Sequence, residues 1–144
     1  MSGLFSAMDI SASGLAAERL RMETTANNIA NANTTKTENG DPYRRKSVVF
    51  SSELQKEGRY TLASGFAGVE VVGIESDDTA FPMVHNPGHP HADEDGMVRM
   101  PNVKIPTEMV DMITASRSYE ANLSSITMFQ EMVEQSLRLL QGGS

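Results

Sequence analysis

Apolar side chains return every seventh residue at both ends of this chain. Met8, Leu15, Met22 and Ile29 keep that step near the N-terminus, flanked by Leu4, Phe5, Ala12 and Ala26. At the other end Ile105, Met112, Tyr119, Ile126, Val133 and Leu140 hold it, and Leu123 and Leu137 widen the stripe. A seven-residue step kept over several turns marks a helix with one continuous seam. The pattern predicts one helix at each end, about 45 Å and about 55 Å long at 1.5 Å per residue. Each is long for so short a chain, and its natural partner is the other. The expected fold is therefore mainly α with a small β region, its two long helices packed as an antiparallel, coiled-coil-like pair.

The centre follows another rhythm. Residues 47–50 (SVVF) and 68–74 (GVEVVGI) are short, β-branched and partly Gly-bounded, which is strand composition. The polar residues 55–66 between them predict a hairpin connection. Pro82, Pro87, Pro90 and Pro101 then fall close together, with Gly88 and Gly96 among them. Proline cannot continue a helix interior or a central strand, so this stretch is expected to be an extended segment leading to the C-terminal helix. Three parts result: an N-terminal helix within 1–35, a central β-hairpin and extended segment over 36–104, and a C-terminal helix within 105–144.

Charge sharpens this division. The 144 residues carry 12 basic and 19 acidic side chains, a net charge of −7. Only 12 of the 75 residues in the two terminal parts are charged, against 19 of the 69 central ones. A solvated helix normally shows water a face rich in Lys and Glu; these helices offer Ala, Ser, Thr, Asn and Met instead. Most of their circumference is expected to be covered by protein. The acidic balance argues against tracking nucleic-acid phosphates. Without Cys, disulfides, thiol catalysis and Cys-ligated metals are excluded. No apolar run approaches the roughly 18 residues of a membrane span. The start, MSGLFSAMDISASG, lacks the basic opening and unbroken apolar stretch of a cleaved signal peptide. On these grounds alone the chain reads as cytosolic.

Candidate chemistry is sparse. His85, His89 and His91 with Asp93, Glu94 and Asp95 place imidazoles and carboxylates together, as zinc or manganese sites do. Pro87 and Pro90 forbid the helical ligand spacing, however, and the acidic run lacks the alternation of a calcium loop. A Pro-stiffened polar turn is the simpler reading, and no metal or other cofactor is expected. No Ser sits in a nucleophile elbow and no Gly-rich phosphate loop follows a strand. No catalytic residue is assigned. Gly14 inside the first helix is either a tolerated weakness or the mark of close helix approach. The short basic run Arg44, Arg45 and Lys46 could pair with acidic residues such as 93–95 of another subunit. Asn27, Asn28, Asn31 and Asn33 crowd the end of the first helix, more amides than a cap requires. They serve either as caps or as an amide network between subunits.

The run ANNIANANT (26–34) resembles the N-terminal signature of the bacterial flagellar axial proteins, the rod, hook and hook-associated components. GDPYRRKSVVF (40–50), GVEVVGI (68–74), HPHADEDGMVRMPNV (89–103) and EMVDMITASRSYEAN (108–122) look like the proximal rod branch of that family. The segment from His89 to Val103 sets the chain apart from the B-type members. Residues 55–66 match loosely, and His85-Asn86 stands where relatives often carry an aromatic and an acidic residue. The resemblance implies a non-enzymatic subunit, exported through the flagellum's own apparatus without a cleaved signal and assembled in the periplasmic basal body. It implies contacts with copies of itself, the B and F types of proximal rod protein, an E-type adaptor and the inner-membrane ring. The helices would form the inner tubular layer and the β-rich centre would face outward.

On that reading Met8, Leu15, Met22 and Ile29 meet Met112, Ile126, Val133 and Leu140 along the intrasubunit seam. Asn28, Asn31, Asn33, Arg44, Arg45, Arg117, Tyr119 and Asn122 are the expected contacts between subunits, although Arg117 could equally pair with Glu120 one turn on. The other functions considered are a periplasmic metal-binding or hydrolytic protein using the His/Asp cluster, and a dimeric helical adaptor.

Overall fold

The computed structural model describes residues 2–52 and 68–141, with side chains over 8–51 and 68–140. In chain order the elements are α1 (Ser2–Ala30), β1 (Lys46–Ser52), β2 (Val69–Ser76), β3 (Met83–His85), β4 (Met97–Arg99) and α2 (Ile105–Gln141). The two expected helices and the mainly α composition are present. β1 and β2 form one two-stranded sheet, and β3 and β4 a second. The expected connection 55–66 lies outside the described residues.

Residues 82–101, read from sequence as merely extended, contain the antiparallel β3–β4 hairpin. Met83 pairs with Arg99, Val84 with Val98 and His85 with Met97. The prolines do not prevent it because all of them stand outside the paired positions. Pro82 precedes β3, Pro87 and Pro90 occupy the loop, and Pro101 follows β4. No ladder bond needs the N–H they lack. The loop closes on Gly96, whose φ of +73° suits glycine. A Cβ there would stand 3.0 Å from Pro87 Cβ.

The chain divides into two compact units, and each helix contributes to both. One comprises Met1–Arg19, Phe50–Val72 and Ala115–Ser144. Its described interior is small-residue helix packing, with Ala17 and Ala115 buried. Gly14 faces Asn122 so closely that an added Cβ would stand 2.8 Å from the amide nitrogen. Close helix approach is thus the reason for this glycine. The Ser13 hydroxyl accepts the Val69 N–H at 3.1 Å and donates to Ile10 O, fixing the start of β2 on α1.

The other unit comprises Leu20–Val49 and Gly73–Thr114. Here α1 and the beginning of α2 run antiparallel, since Arg21 reaches Asp111 while Asn28 reaches Glu108. After α1 a tight turn carries Gly40 at φ +85°, with Gly40 N–H bonded to Thr37 O and Thr37 N–H to Asp41 O. Val98, Ala32, Pro42 and Pro101 are buried, but so are Thr24, Thr25, Asn28 and Glu108. This interior is unusually polar, and its buried polar groups must be bonded to be tolerated.

Candidate functional site

The centre of that polar interior is Asn28, in the last turn of α1 and 1% exposed. Its amide nitrogen donates to Lys46 O at 2.8 Å and to Glu108 Oε2 at 2.9 Å. Its oxygen accepts the Lys46 N–H at 2.9 Å and the Tyr43 hydroxyl at 3.0 Å. Two donors and two acceptors exhaust what an amide can do. One side chain thus joins the end of α1, the first residue of β1 and the first turn of α2.

Glu108, also 1% exposed, is the charged member. Pro106 sits in the first turn of α2, where its missing N–H costs nothing, and Glu108 follows it inward. Asn28 satisfies one carboxylate oxygen and Arg45 Nε the other at 2.5 Å. Arg45 extends to Asp111 at 3.3 Å, and Arg21 approaches the other oxygen of Asp111 at 3.7 Å. The hydrogen bond to Glu108 raises the Arg45 pKa above its ordinary value, although burial works against it. Burial, reinforced by the Glu108 charge, raises that of Tyr43.

A second ring of bonds holds Arg45 from behind. Asn102 Oδ1 accepts the Arg45 N–H at 2.7 Å, and Arg45 O accepts the Asp77 N–H at 2.8 Å. Asn102 donates to Asp77 O and to the Thr79 hydroxyl, both at 2.9 Å. Hydrogen bonds from the backbone and hydroxyl of Thr79 lower the Asp77 pKa.

The four crowded amides meet four different fates. Asn28 is the hub. Asn31 donates to Asn27 O and accepts from the Thr34 hydroxyl, Asn27 bonds back to Glu23 O, and Asn33 is exposed. The structure places Asn28 and Arg45, both expected at subunit contacts, inside their own chain. A buried Glu108 carboxylate requires a cation, and Arg45 supplies it. Arg44 instead stacks on Phe81, 4.4 Å from the ring centre.

Farther along α2, Tyr119 and Asn122 are half-buried and Arg117 is exposed, with no ion pair to Glu120 among the described residues. Of the seam positions, Met8, Leu15, Met22, Ile29, Met112 and Ile126 are half-buried, whereas Val133 is 37% and Leu140 79% exposed. With 37 residues against 29 in α1, α2 is eight residues longer.

In the β3–β4 loop, the Thr35 hydroxyl lies 2.7 Å from His91 Nδ1, and His89 Nδ1 accepts the His91 N–H at 3.1 Å. Among the described residues no group of three or more His, Cys, Asp or Glu side chains could hold a metal ion. No helix of the described residues is long and apolar enough to cross a membrane.

Sequence reasoning missed Glu108, Tyr43 and Asn102 as members of the knot. Their partners lie up to 80 positions away, so no local spacing betrays them.

A family model described as "Flagella basal body rod protein" matches residues 8–36, and one described as "Flagellar basal body rod FlgEFG protein C-terminal" matches 94–139. The matched stretches contain the hub of the knot on α1 and its charged member on α2. Both descriptions name the same class, the rod proteins of the flagellar basal body. Among curated relatives, the flagellar basal-body rod protein FlgC of Borreliella burgdorferi is 40% identical over 151 aligned residues, covering 97% of this chain and 99% of that one. The Agrobacterium fabrum protein of the same name is 42% identical, with 98% of each chain covered. That of Bacillus subtilis is 38% identical, with 94% and 97% covered. This chain belongs to the FlgC family of flagellar basal-body rod proteins.

Proposed function

We propose that the chain is a structural subunit of the proximal rod, stacking helically with copies of itself and with other rod proteins to carry torque. The observation that carries this reading is the likeness to FlgC rod proteins over nearly the whole chain. The exposed apolar side chains of α2 support it: Met109, Val110 and Ile113 in one unit, and Met128, Met132 and Leu139 in the other. Such a row is unfavourable in water and marks a surface meant for protein. Contacts between unlike patches do not close and generate a helical array.

Torque passes through an array only where parts cannot slide, and the knot supplies that resistance within the subunit. Moving α2 along α1 would draw Glu108 away from Asn28 and Arg45, stranding a buried charge. On this reading the terminal segments 1–35 and 105–144 form the inner layer and 36–104 faces outward. Asn33, Arg44, Arg117 and Tyr119 serve contacts between subunits. Neighbours are the B- and F-type rod proteins, an E-type adaptor and the inner-membrane ring. The subunit reaches the periplasmic basal body through the flagellar export apparatus, and no catalytic step or cofactor is involved.

The test is a cryo-EM map of basal bodies from cells whose only copy of the gene encodes this chain. Density for both helices in the rod wall is expected. Intact rods without the chain would refute the reading.

A further inference from the structure

We infer that Asn39 is a site of spontaneous covalent modification, converting through a cyclic imide to aspartate and isoaspartate, and that opening of the 37–41 turn sets the rate. The nucleophile is the Gly40 backbone nitrogen, which gives its proton to hydroxide and attacks Cγ of Asn39. The new N–Cγ bond forms, the bond from Cγ to the side-chain nitrogen breaks, and that nitrogen takes up a proton and leaves as ammonia. Water then opens the five-membered imide at either carbonyl. One opening leaves an ordinary Asp at 39. The other routes the main chain through the side-chain carbon and lengthens it by one methylene. Water is the only co-reactant, and nothing is oxidised or reduced.

Three observations single out this position. Of the eight asparagines in the chain, Asn39 alone precedes a glycine, so no neighbouring side chain shields the attacking nitrogen. Asn86 precedes Pro87, which has no N–H to lose. Asn39 and Gly40 are both exposed, and among the described residues the Asn39 amide takes no hydrogen bond. Asn28 and Asn102, by contrast, are tied into the knot, and Asn122 lies within α2, whose regular bonding holds the next nitrogen in place. Finally, φ at Gly40 is +85°, a left-handed value that favours glycine, although a Cβ there would meet nothing within 4 Å. The turn therefore calls for the residue that leaves its nitrogen bare.

Hydrogen bonding across the turn slows the step. Gly40 N–H donates to Thr37 O at 2.9 Å, and Asp41 O accepts both the Thr37 N–H and the Thr37 hydroxyl at 2.8 Å. While its N–H is held, the nitrogen is neither deprotonated nor free to swing onto Cγ, so attack waits on local opening. Asp95–Gly96 carries the same kind of bond, Gly96 N–H to Asp93 O at 3.0 Å, but Gly96 is buried and a carboxylate resists attack. The product matters because the turn leads through Pro42 to Tyr43 and Arg45, which bond Asn28 and Glu108. A longer main chain at 39 loosens that lead-in to the knot.

The full-length chain is incubated at mildly alkaline pH, assembled in basal bodies and, separately, in urea. The tryptic peptide 37–44 is then followed by mass spectrometry. It is expected to gain one dalton, with isoaspartate among the products, while peptides carrying the other asparagines stay unchanged over the same period. The gain should be about tenfold faster in urea than in basal bodies. Thr37→Val, which removes the hydroxyl bond across the turn, should raise the assembled rate and leave the urea rate unchanged. Gly40→Ala should slow the gain even in urea, where folding plays no part. An intact Asn39 in urea, or equal gain at other asparagines, overturns the site. Equal rates in basal bodies and urea, or an unchanged assembled rate in Thr37→Val, overturn the role of the turn. The urea arm holds whatever the chain assembles into, so absence of the chain from basal bodies would overturn the rod reading and not the site.

Discussion

Replacing Asn28 by Ala removes the buried side chain that joins the end of α1, the first residue of β1 and the first turn of α2. Its four hydrogen bonds span 2.8–3.0 Å. Their losses are unequal. The bonds to the Lys46 backbone and the Tyr43 hydroxyl are part-buried, so water can serve their freed groups. Glu108 is buried, and its Oε2 loses its donor where water has little access. A lost bond to a buried charged acceptor costs about 1.5–3 kcal/mol. Adding a smaller share for the vacated amide volume gives about 3 kcal/mol, roughly a hundredfold in an opening equilibrium. Hydrogen exchange read by mass spectrometry on peptides from 20–49 and 73–114 should show that acceleration, with smaller effects elsewhere. Asn28→Asp is the sharper companion. It keeps the shape but sets two carboxylates at hydrogen-bond distance, so one must hold a proton. Its raised folded-state pKa means stability is lost as pH rises above about 4, and at neutral pH it should exchange faster than the Ala variant. Exchange in Asn28→Ala within about threefold of wild type, or an Asp variant as protected as wild type, would refute the hub assignment.

Tyr43 gives a pH prediction. Burial, then the Glu108 charge, raises its pKa, so the stability it contributes is complete below about pH 10 and declines as pH rises through the folded-state value. Phenolate absorbance should titrate above free tyrosine, and Glu108→Gln should draw it downward. Gly14→Ala would gain about 1 kcal/mol of helix propensity, but the new methyl meets Asn122 at 2.8 Å. A net loss is expected by thermal melting of assembled material, and Asn122→Ala in the same chain should relieve it. The isolated monomer should show far less helix by circular dichroism than the 29 and 37 residues of α1 and α2, because charge-poor helix faces without partners are marginal in water. Full helicity at micromolar concentration would count against that.

Much of the fold was legible because long helices repeat their pattern. The seven-residue step located α1 and α2, and β-branched runs located β1 and β2. The β3–β4 hairpin was not, since strands of three residues carry no readable alternation and the surrounding prolines suggested an open segment. The site was half legible. Asn28 belonged to a conspicuous amide cluster, yet nothing local separated it from Asn27, Asn31 or Asn33; only its place in the last turn, facing β1 and α2, makes it the hub. Arg45 was visible as charge, but its neighbour Arg44 looked the same. Alternation along the chain sends Arg45 inward to Glu108 and Arg44 outward to Phe81.

That divergence bears on why the knot is polar at all. An apolar filling of the same space would stabilise the unit at least as well, since buried ion pairs seldom outdo packed hydrocarbon. What an apolar filling lacks is direction. Leucine against leucine tolerates a shift of one residue, and a seam with a regular seven-residue step offers another nearly equivalent registration one heptad away. The Asn28–Glu108–Arg45 arrangement tolerates neither shift, because each displaced registration leaves a buried carboxylate without its donors. Apolar contact between helices supplies adhesion without direction, whereas the knot, through Glu108 held by Asn28 and Arg45, fixes one registration of the last turn of α1 on the first turn of α2.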